Sequence, residues 1–185
     1  MEQIQLPAES IPKITLADLV NLLKNPFYLE EDLVCILEET PTRGTSFLEG
    51  GIKERAKLVK DSFIKGSTIL FRGLERYLDL SYLKGFVDDI NVHSLVAPKG
   101  GPSFKKHIDD RDVVLILLRG EKVVLDEHDN PTMIKEGDVM LIPKGELHQI
   151  KNITATWAIT IGIPNLDTPT EGLTLDDLRE SFKDL

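Results

Sequence analysis

Three residues in the second half of the chain have types and spacing suited to binding a metal ion. His107 and Asp109 are two positions apart, and residues i and i+2 of an extended segment point to the same side of the backbone. One strand end can therefore offer an imidazole and a carboxylate to one ion. His148 follows an apolar stretch at residues 137–142 and a turn at residues 143–145, so it can supply a third ligand from a neighbouring strand.

The cysteine and histidine content limits the kinds of metal site that are available. Cys35 is the single cysteine of the 185 residues, which excludes an internal disulfide and a thiolate-rich zinc site. Any metal must therefore be held by histidines and carboxylates. His128 lies in a polar turn sequence and is interpreted as a solvated loop residue. His93 has two readings, a polar contact inside a pocket or a hydrogen-bonded residue of its wall.

Glycines and a proline frame the candidate ligands at regular intervals. Gly101 precedes His107, and the later stretch has the pattern Gly137, Pro143, Gly145, His148, Asn152. These two stretches resemble the paired motifs of the cupin superfamily, whose fold is a double-stranded β-helix. The first motif departs from the commoner form, which has a second histidine where Asp109 stands. Two histidines and one carboxylate are the ligands of non-haem iron(II) oxygenases.

A longer series of short motifs extends the resemblance over residues 66–163. The series consists of residues 66–74, 97–98, 107–113, 120–122 and 137–149. It is similar to the Jumonji-C-type ribosomal oxygenases, which hydroxylate ribosomal proteins. The resemblance implies Fe(II) held by His107, Asp109 and His148, with 2-oxoglutarate as co-substrate and dioxygen as oxidant.

Lys122 and Thr160 are the candidate co-substrate ligands. A two-residue turn at Arg119 and Gly120 predicts a hairpin in which Lys122 pairs with Leu117 in apolar surroundings. A buried ammonium needs an anionic partner, and the resemblance implies that Lys122 binds the distal carboxylate of 2-oxoglutarate. A lysine whose head reaches solvent is the alternative. The resemblance also implies that Thr160 helps to hold the co-substrate.

Two features qualify how this site is built and what it binds. Lys122 can approach the metal only if residues 109–112 form a sharp corner, since a straight strand would place it about 26 Å away. Several positions also have residue types that differ from those of the ribosomal oxygenases, so the resemblance does not identify the substrate. These positions are His93, Leu95, Leu117 and Val124.

The elements that must position these residues fall into two parts. Residues 1–90 have mostly helical periodicity, and Thr15 with Asp18 forms a capping-box start. Further helices are predicted at residues 29–37, 52–64 and 79–90, with a short strand at 68–71.

From residue 91 the sequence changes to short apolar segments separated by Gly, Pro, Asp and Asn, which is typical of a barrel or sandwich. The clearest strands are residues 113–118, 122–125, 139–142 and 156–163. We predict a mostly β fold with N-terminal helices: a helical support region at 1–90, a double-stranded β-helix barrel at 91–165 joined by strand 67–72, and a helical tail at 166–185.

Charge and hydropathy restrict the partners. A net charge of −9 argues against nucleic acid, whose binding depends on neutralising phosphates, and the basic residues between positions 53 and 65 are interpreted as a solvated helix face. The sequence contains no uninterrupted apolar run of about 18 residues, so no membrane span is predicted. The first residues also lack a signal-peptide pattern. We therefore expect a cytoplasmic protein, and the apolar helix faces favour a homodimer.

Two functions remain open from the sequence. The first is an Fe(II)- and 2-oxoglutarate-dependent oxygenase that hydroxylates a protein, peptide or small-molecule side chain. The second is a small metal-binding cupin without 2-oxoglutarate turnover, such as an isomerase, another metal enzyme or a binding module.

Overall fold

The computed structural model describes residues 1–4, 11, 13–28, 32–37, 40–43, 51–78 and 90–163. Its helices are α1 (Leu16–Lys24) and α2 (Gly51–Ile64). Its strands are β1 (Glu2–Ile4), β2 (Leu33–Leu37), β3 (Thr40–Arg43), β4 (Thr68–Phe71), β5 (Asn91–Ala97), β6 (Asp112–Arg119), β7 (Glu121–Leu125), β8 (Pro131–Lys135), β9 (Val139–Ile142), β10 (Gln149–Asn152) and β11 (Thr156–Ile163). A short 3₁₀ turn, Leu74–Arg76, follows β4.

The strands form two sheets that face each other. The larger sheet has the order β1-β9-β6-β11-β5-β4-β2-β3, and the smaller one has the order β10-β7-β8. Every pair of neighbours is antiparallel. The predicted mostly β fold is confirmed, and its barrel is a double-stranded β-helix.

The first helix begins where the sequence predicts. Asp18 N–H donates to Thr15 Oγ1 at 3.2 Å, and Thr15 N–H donates to Asp18 Oδ2 at 2.7 Å. These two bonds form the capping box, which satisfies backbone donors that the helix cannot pair itself. The helix at 52–64 and the strand at 68–71 are also confirmed.

The predicted helix at residues 29–37 is wrong over its described part, because Leu33–Leu37 is strand β2. It pairs with β3 and with β4. Cys35 is buried in the cluster outside the barrel, whereas Val34 and Ile36 are buried in a cluster on the opposite face. A strand buried on both faces has a continuous apolar sequence, and periodicity cannot distinguish it from a buried helix.

The predicted hairpin at Arg119 and Gly120 is also wrong, because β6 and β7 belong to different sheets. Leu117 pairs with Ala158, and Lys122 pairs with residues of β8 and β10. The chain changes sheet at Gly120, which has φ +87°. A Cβ there would lie 2.2 Å from Ala155 O, so the crossing requires glycine.

Replacing Gly120 with alanine is expected to destabilise the protein by about 2 kcal/mol or more, because strain at positive φ adds to a backbone collision. Gly137→Ala is the matched control, since Gly137 has φ +90° and a Cβ added there would meet no other atom within 4 Å. Urea unfolding should show a clearly smaller loss for the control. Equal losses would mean that the collision is relieved by a local shift.

The large sheet packs on both of its faces. Val114 and Ile116 point outward and join Leu19, Leu22 and Leu23 of α1 in one core cluster. Leu115 and Leu117 point inward and pack with the smaller sheet in a second cluster. Strand alternation thus separates a helix-covered outer layer from the barrel interior, where the site lies.

The basic run on α2 is not entirely a solvated face. Arg55 is 7% exposed, and its Nη1 donates to the carbonyls of Asn25 and Tyr28 at 3.2 and 3.4 Å. Arg55 therefore joins the end of α1 to α2, contrary to the interpretation from sequence. The exposed basic residues of the run include Lys57, Lys60 and Lys65.

Several predictions fall outside the described residues. They are the helix at 79–90 apart from its last residue, and the tail at 166–185. The division into support region, barrel and tail stays a prediction. Within the described part, neither helix has the length and apolar sequence needed to cross a bilayer.

Candidate functional site

The structure brings His107, Asp109 and His148 together at one point. One ligand atom from each lies within 4.8 Å of the others. His107 Nε2 is 3.7 Å from Asp109 Oδ1, and His148 Nε2 is 3.6 Å from Asp109 Oδ2. Ligands of one octahedral ion at about 2.1 Å stand about 3 Å apart, so a small contraction would close the cluster around a metal.

The backbone holds the three side chains in place. His107 and His148 form an isolated antiparallel bridge, with two N–H···O bonds of 2.9 Å between them. Gly145 N–H donates to Asp109 O at 3.0 Å, which joins the loop before His148 to the segment after His107. Two residues that are far apart in sequence are therefore fixed as cross-strand neighbours.

Both imidazoles are oriented with Nε2 toward the cluster. His107 Nδ1 lies 2.8 Å from Lys105 O, and His148 Nδ1 lies 3.0 Å from Glu146 O. A carbonyl can only accept, so each Nδ1 carries a hydrogen and each neutral ring has its lone pair on Nε2. This is how outer contacts fix the tautomer of metal-binding histidines.

Burial differs among the three groups. The His148 side chain is 2% exposed, whereas those of His107 and Asp109 are 34% and 30% exposed. Burial lowers the pKa of His148, so its ring is neutral and able to bind a metal at neutral pH. The cluster thus has one buried ligand at its base and two ligands near solvent.

The three residues line a cavity of about 420 Å³ that also includes Lys122 and Thr160. The backbone bends at Asp110 and Arg111, as the predicted corner requires. Lys122 reaches this cavity from the smaller sheet rather than through a hairpin with β6. All five site residues proposed from the sequence therefore lie in the wall of one cavity.

Lys122 is a buried cation with a neutral partner. It is 2% exposed, and its Nζ donates to Asn152 Oδ1 at 2.5 Å. Burial lowers the pKa of Lys122 to about 8. Among the described residues no carboxylate forms an ion pair with it. An ammonium in this setting is a strong candidate for binding an anion.

The four residues that differ from the ribosomal oxygenases lie in two different environments. Leu117 and Val124 are fully buried in the barrel core, whereas His93 and Leu95 line the cavity. His93 Nδ1 accepts a hydrogen bond from Gly73 N–H at 3.4 Å. His93 is therefore both a polar residue facing the cavity and a hydrogen-bonded residue of its wall. His128 is exposed in its turn, as predicted.

Sequence reasoning missed two residues of the site. Asn152 was recognised as a motif position, but its contact with Lys122 depends on the register between β7 and β10. Arg72 lines the cavity because it follows Leu70 by two positions, directly after the end of β4. The alternation of Leu70 and Arg72 was a usable signal, once β4 was known to belong to the barrel wall.

Comparison with known proteins finds a cupin domain at residues 94–162. This segment runs from β5 to β11 and contains the three candidate metal ligands, Lys122 and Thr160. No curated protein matches the chain significantly.

Solved structures similar to this chain include a cupin superfamily protein from Desulfitobacterium hafniense, with 19% identity over 43% of this chain and 71% of that chain and a TM-score of 0.39. An RmlC-like cupin family protein with a double-stranded β-helix fold from Methanocaldococcus jannaschii has 25% identity over 43% and 73%, with a TM-score of 0.39. KdgF from Halomonas sp. has 15% identity over 54% and 81%, with a TM-score of 0.41.

Proposed function

We propose that the cupin domain at residues 94–162 is the catalytic part of an Fe(II)- and 2-oxoglutarate-dependent oxygenase that hydroxylates a side chain. The observation that supports this function is a juxtaposition in one cavity. A cluster of two histidines and one carboxylate opens onto the same space as a buried ammonium that has no carboxylate partner among the described residues.

His107, Asp109 and His148 would hold the iron. Their two Nε2 atoms and one carboxylate suit the facial arrangement of non-haem iron(II) oxygenases, which leaves coordination positions open for other ligands. The carbonyls of Lys105 and Glu146 keep both imidazoles in the ligating tautomer. The residues present therefore fit the metal that the proposal needs.

Lys122 and Thr160 would hold the far end of the co-substrate. The Lys122 ammonium would pair with the distal carboxylate of 2-oxoglutarate, and the Thr160 hydroxyl would donate a further hydrogen bond. Asn152 Oδ1 positions the ammonium and also accepts from Thr156 Oγ1 at 2.9 Å. When bound, iron and 2-oxoglutarate would supply the oxidation chemistry with dioxygen as the oxidant: one oxygen atom would enter the substrate C–H bond as a hydroxyl and the other would enter succinate, with loss of CO2 from the co-substrate.

The substrate class follows from access to the cluster. His107 and Asp109 are about one-third exposed, so a side chain of a protein or peptide, or a small molecule, could approach the iron from solvent. Apolar side chains line much of the rest of the cavity, among them Val113, Leu115 and Ile142. They would keep water away from the reacting group.

Anaerobic titration tests the proposal directly. Adding Fe(II) and then 2-oxoglutarate to the protein is expected to produce a weak visible charge-transfer band from the chelated complex. Glutarate, which lacks the 2-oxo group, is the matched control and should give no band. Bound iron without a band on adding 2-oxoglutarate would contradict the oxygenase function, and would favour a metal-binding cupin without 2-oxoglutarate turnover.

A further inference from the structure

A row of polar side chains crosses the inner face of the large sheet, starting at Thr160 of the candidate co-substrate site and leading away from it. Thr160 of β11 pairs in register with His93 of β5. Phe71 of β4 pairs with Ser94, so Arg72 comes opposite His93 one step further on. All three residues of the row line the cavity. With strands about 4.8 Å apart, Arg72 stands about 10 Å from Thr160 along the row.

Arg72 forms no ion pair with a described residue, and the two carboxylates on the neighbouring segments bind other groups. Asp32 accepts from Arg76 Nη2 at 2.5 Å and from Tyr77 OH at 3.1 Å. Glu75 Oε2 accepts from Val92 N–H at 2.7 Å. The half-buried Arg72 therefore lines the cavity without an ion pair to any carboxylate in the part of the chain that the structure describes.

The backbone around Arg72 is held firmly, which keeps this part of the wall in place. Arg72 N–H donates to Asp32 O at 2.7 Å, extending the β2–β4 pairing by one bond. Tyr28 OH donates to Asp32 O at 2.9 Å and to Arg72 O at 3.3 Å. A site built on a fixed backbone loses less entropy when a ligand binds.

His93 adds a second donor to this end of the cavity. Burial lowers the pKa of His93, so the ring is neutral at pH 7. Its Nδ1 accepts from Gly73 N–H, which leaves the ring hydrogen on Nε2. Next to it, Gly162 pairs with Asn91, and a Cβ at Gly162 would lie 3.6 Å from Arg111 Cδ, so the Arg111 side chain bounds the space beside the row.

We infer that Arg72 and His93 form a carboxylate-binding site for the molecule that is oxidised. A guanidinium fork matches a carboxylate in two-point geometry, and the Nε2–H of His93 supplies a further donor. The Arg72 guanidinium balances the single charge of one carboxylate. Lys122 lies on the opposite sheet, and a cavity of about 420 Å³ lies in the range that holds drug-sized ligands, so a second acid has room.

The role of this ligand as the oxidised substrate rests on the proposed function, but the carboxylate site itself does not. Arg72 and His93 both lie outside the segment that matches the cupin domain. The site therefore depends on the strand β4 and the start of β5 in this chain.

The test compares hexanoate with its neutral isostere hexanamide, titrated into the metal-free 185-residue protein and followed by NMR. Wild type is expected to bind hexanoate at least about tenfold more tightly than hexanamide, as a charge-assisted hydrogen bond provides. Arg72→Gln should remove that preference while leaving hexanamide affinity within about twofold, which also shows that the cavity is intact. Lys99→Gln makes the same charge change at an exposed position outside the cavity and should alter neither affinity.

The outcomes separate this inference from the proposed function. Equal affinity of wild type for both probes, or an unchanged preference in Arg72→Gln, would overturn the carboxylate site. Loss of the Fe(II)–2-oxoglutarate band in Arg72→Gln would also overturn it, because Arg72 would then bind the co-substrate. An Arg72-dependent preference for hexanoate, in a wild-type protein that gives no such band, would retain the site and reject only the oxygenase function.

Discussion

Replacing His148 with alanine is expected to weaken Fe(II) binding by a factor of about 100 or more. Loss of a hydrogen-bond partner of a metal ligand alone costs about 10-fold to 100-fold in metal affinity, and His148 would be a direct ligand. It is also the buried member of the cluster, with 2% of its side chain exposed. Its removal would leave one imidazole and one carboxylate near solvent. Anaerobic titration with Fe(II), competed against a chelator of known affinity, measures the change.

His128→Ala is the matched control for this experiment. His128 is 73% exposed in a turn and contributes no atom to the cluster, so its removal should leave the affinity unchanged. Unfolding in urea should show both variants folded. If the His148 variant keeps full iron affinity, then His148 is not a metal ligand and the iron is not bound by a buried imidazole.

The sequence predicted the features that depend on interactions between residues close together in the chain. The capping box at Thr15 and Asp18 was predictable because both of its hydrogen bonds form within one helical turn. The pairing of His107 and Asp109 was predictable because i and i+2 share a strand face. His148 required the motif pattern, since nothing local indicates that it pairs with His107.

The features that sequence reasoning missed depend on long-range register. β2 was predicted as a helix because both of its faces are buried, so its apolar residues do not alternate with polar ones. The two-residue turn at Arg119 and Gly120 resembled a hairpin, but Gly120 is where the chain passes between sheets. Lys122 meets Asn152, 30 positions away, and such a pairing is set by the assembled sheet.

Replacing Lys122 with methionine is expected to stabilise the ligand-free protein at pH 7 by about 3 kcal/mol and to abolish 2-oxoglutarate binding. Burial lowers the pKa of Lys122 from 10.5 to about 8, and each pKa unit corresponds to about 1.4 kcal/mol. Methionine fills a similar volume without a charge. Asn152 Oδ1 keeps the hydrogen bond from Thr156 Oγ1, so no buried acceptor loses its last partner.

The pH dependence of this stability difference identifies its cause. In the unfolded chain Lys122 keeps its proton up to about pH 10.5, whereas in the folded protein it loses the proton near pH 8. The unfolded state therefore binds more protons between these values, and wild-type stability should rise there relative to Lys122→Met. Urea unfolding should show the full difference at pH 7, a decline above pH 8 and little difference beyond pH 10.5. A difference constant with pH would instead reflect packing, and the stabilisation could not then be assigned to the buried charge that is proposed to attract the co-substrate.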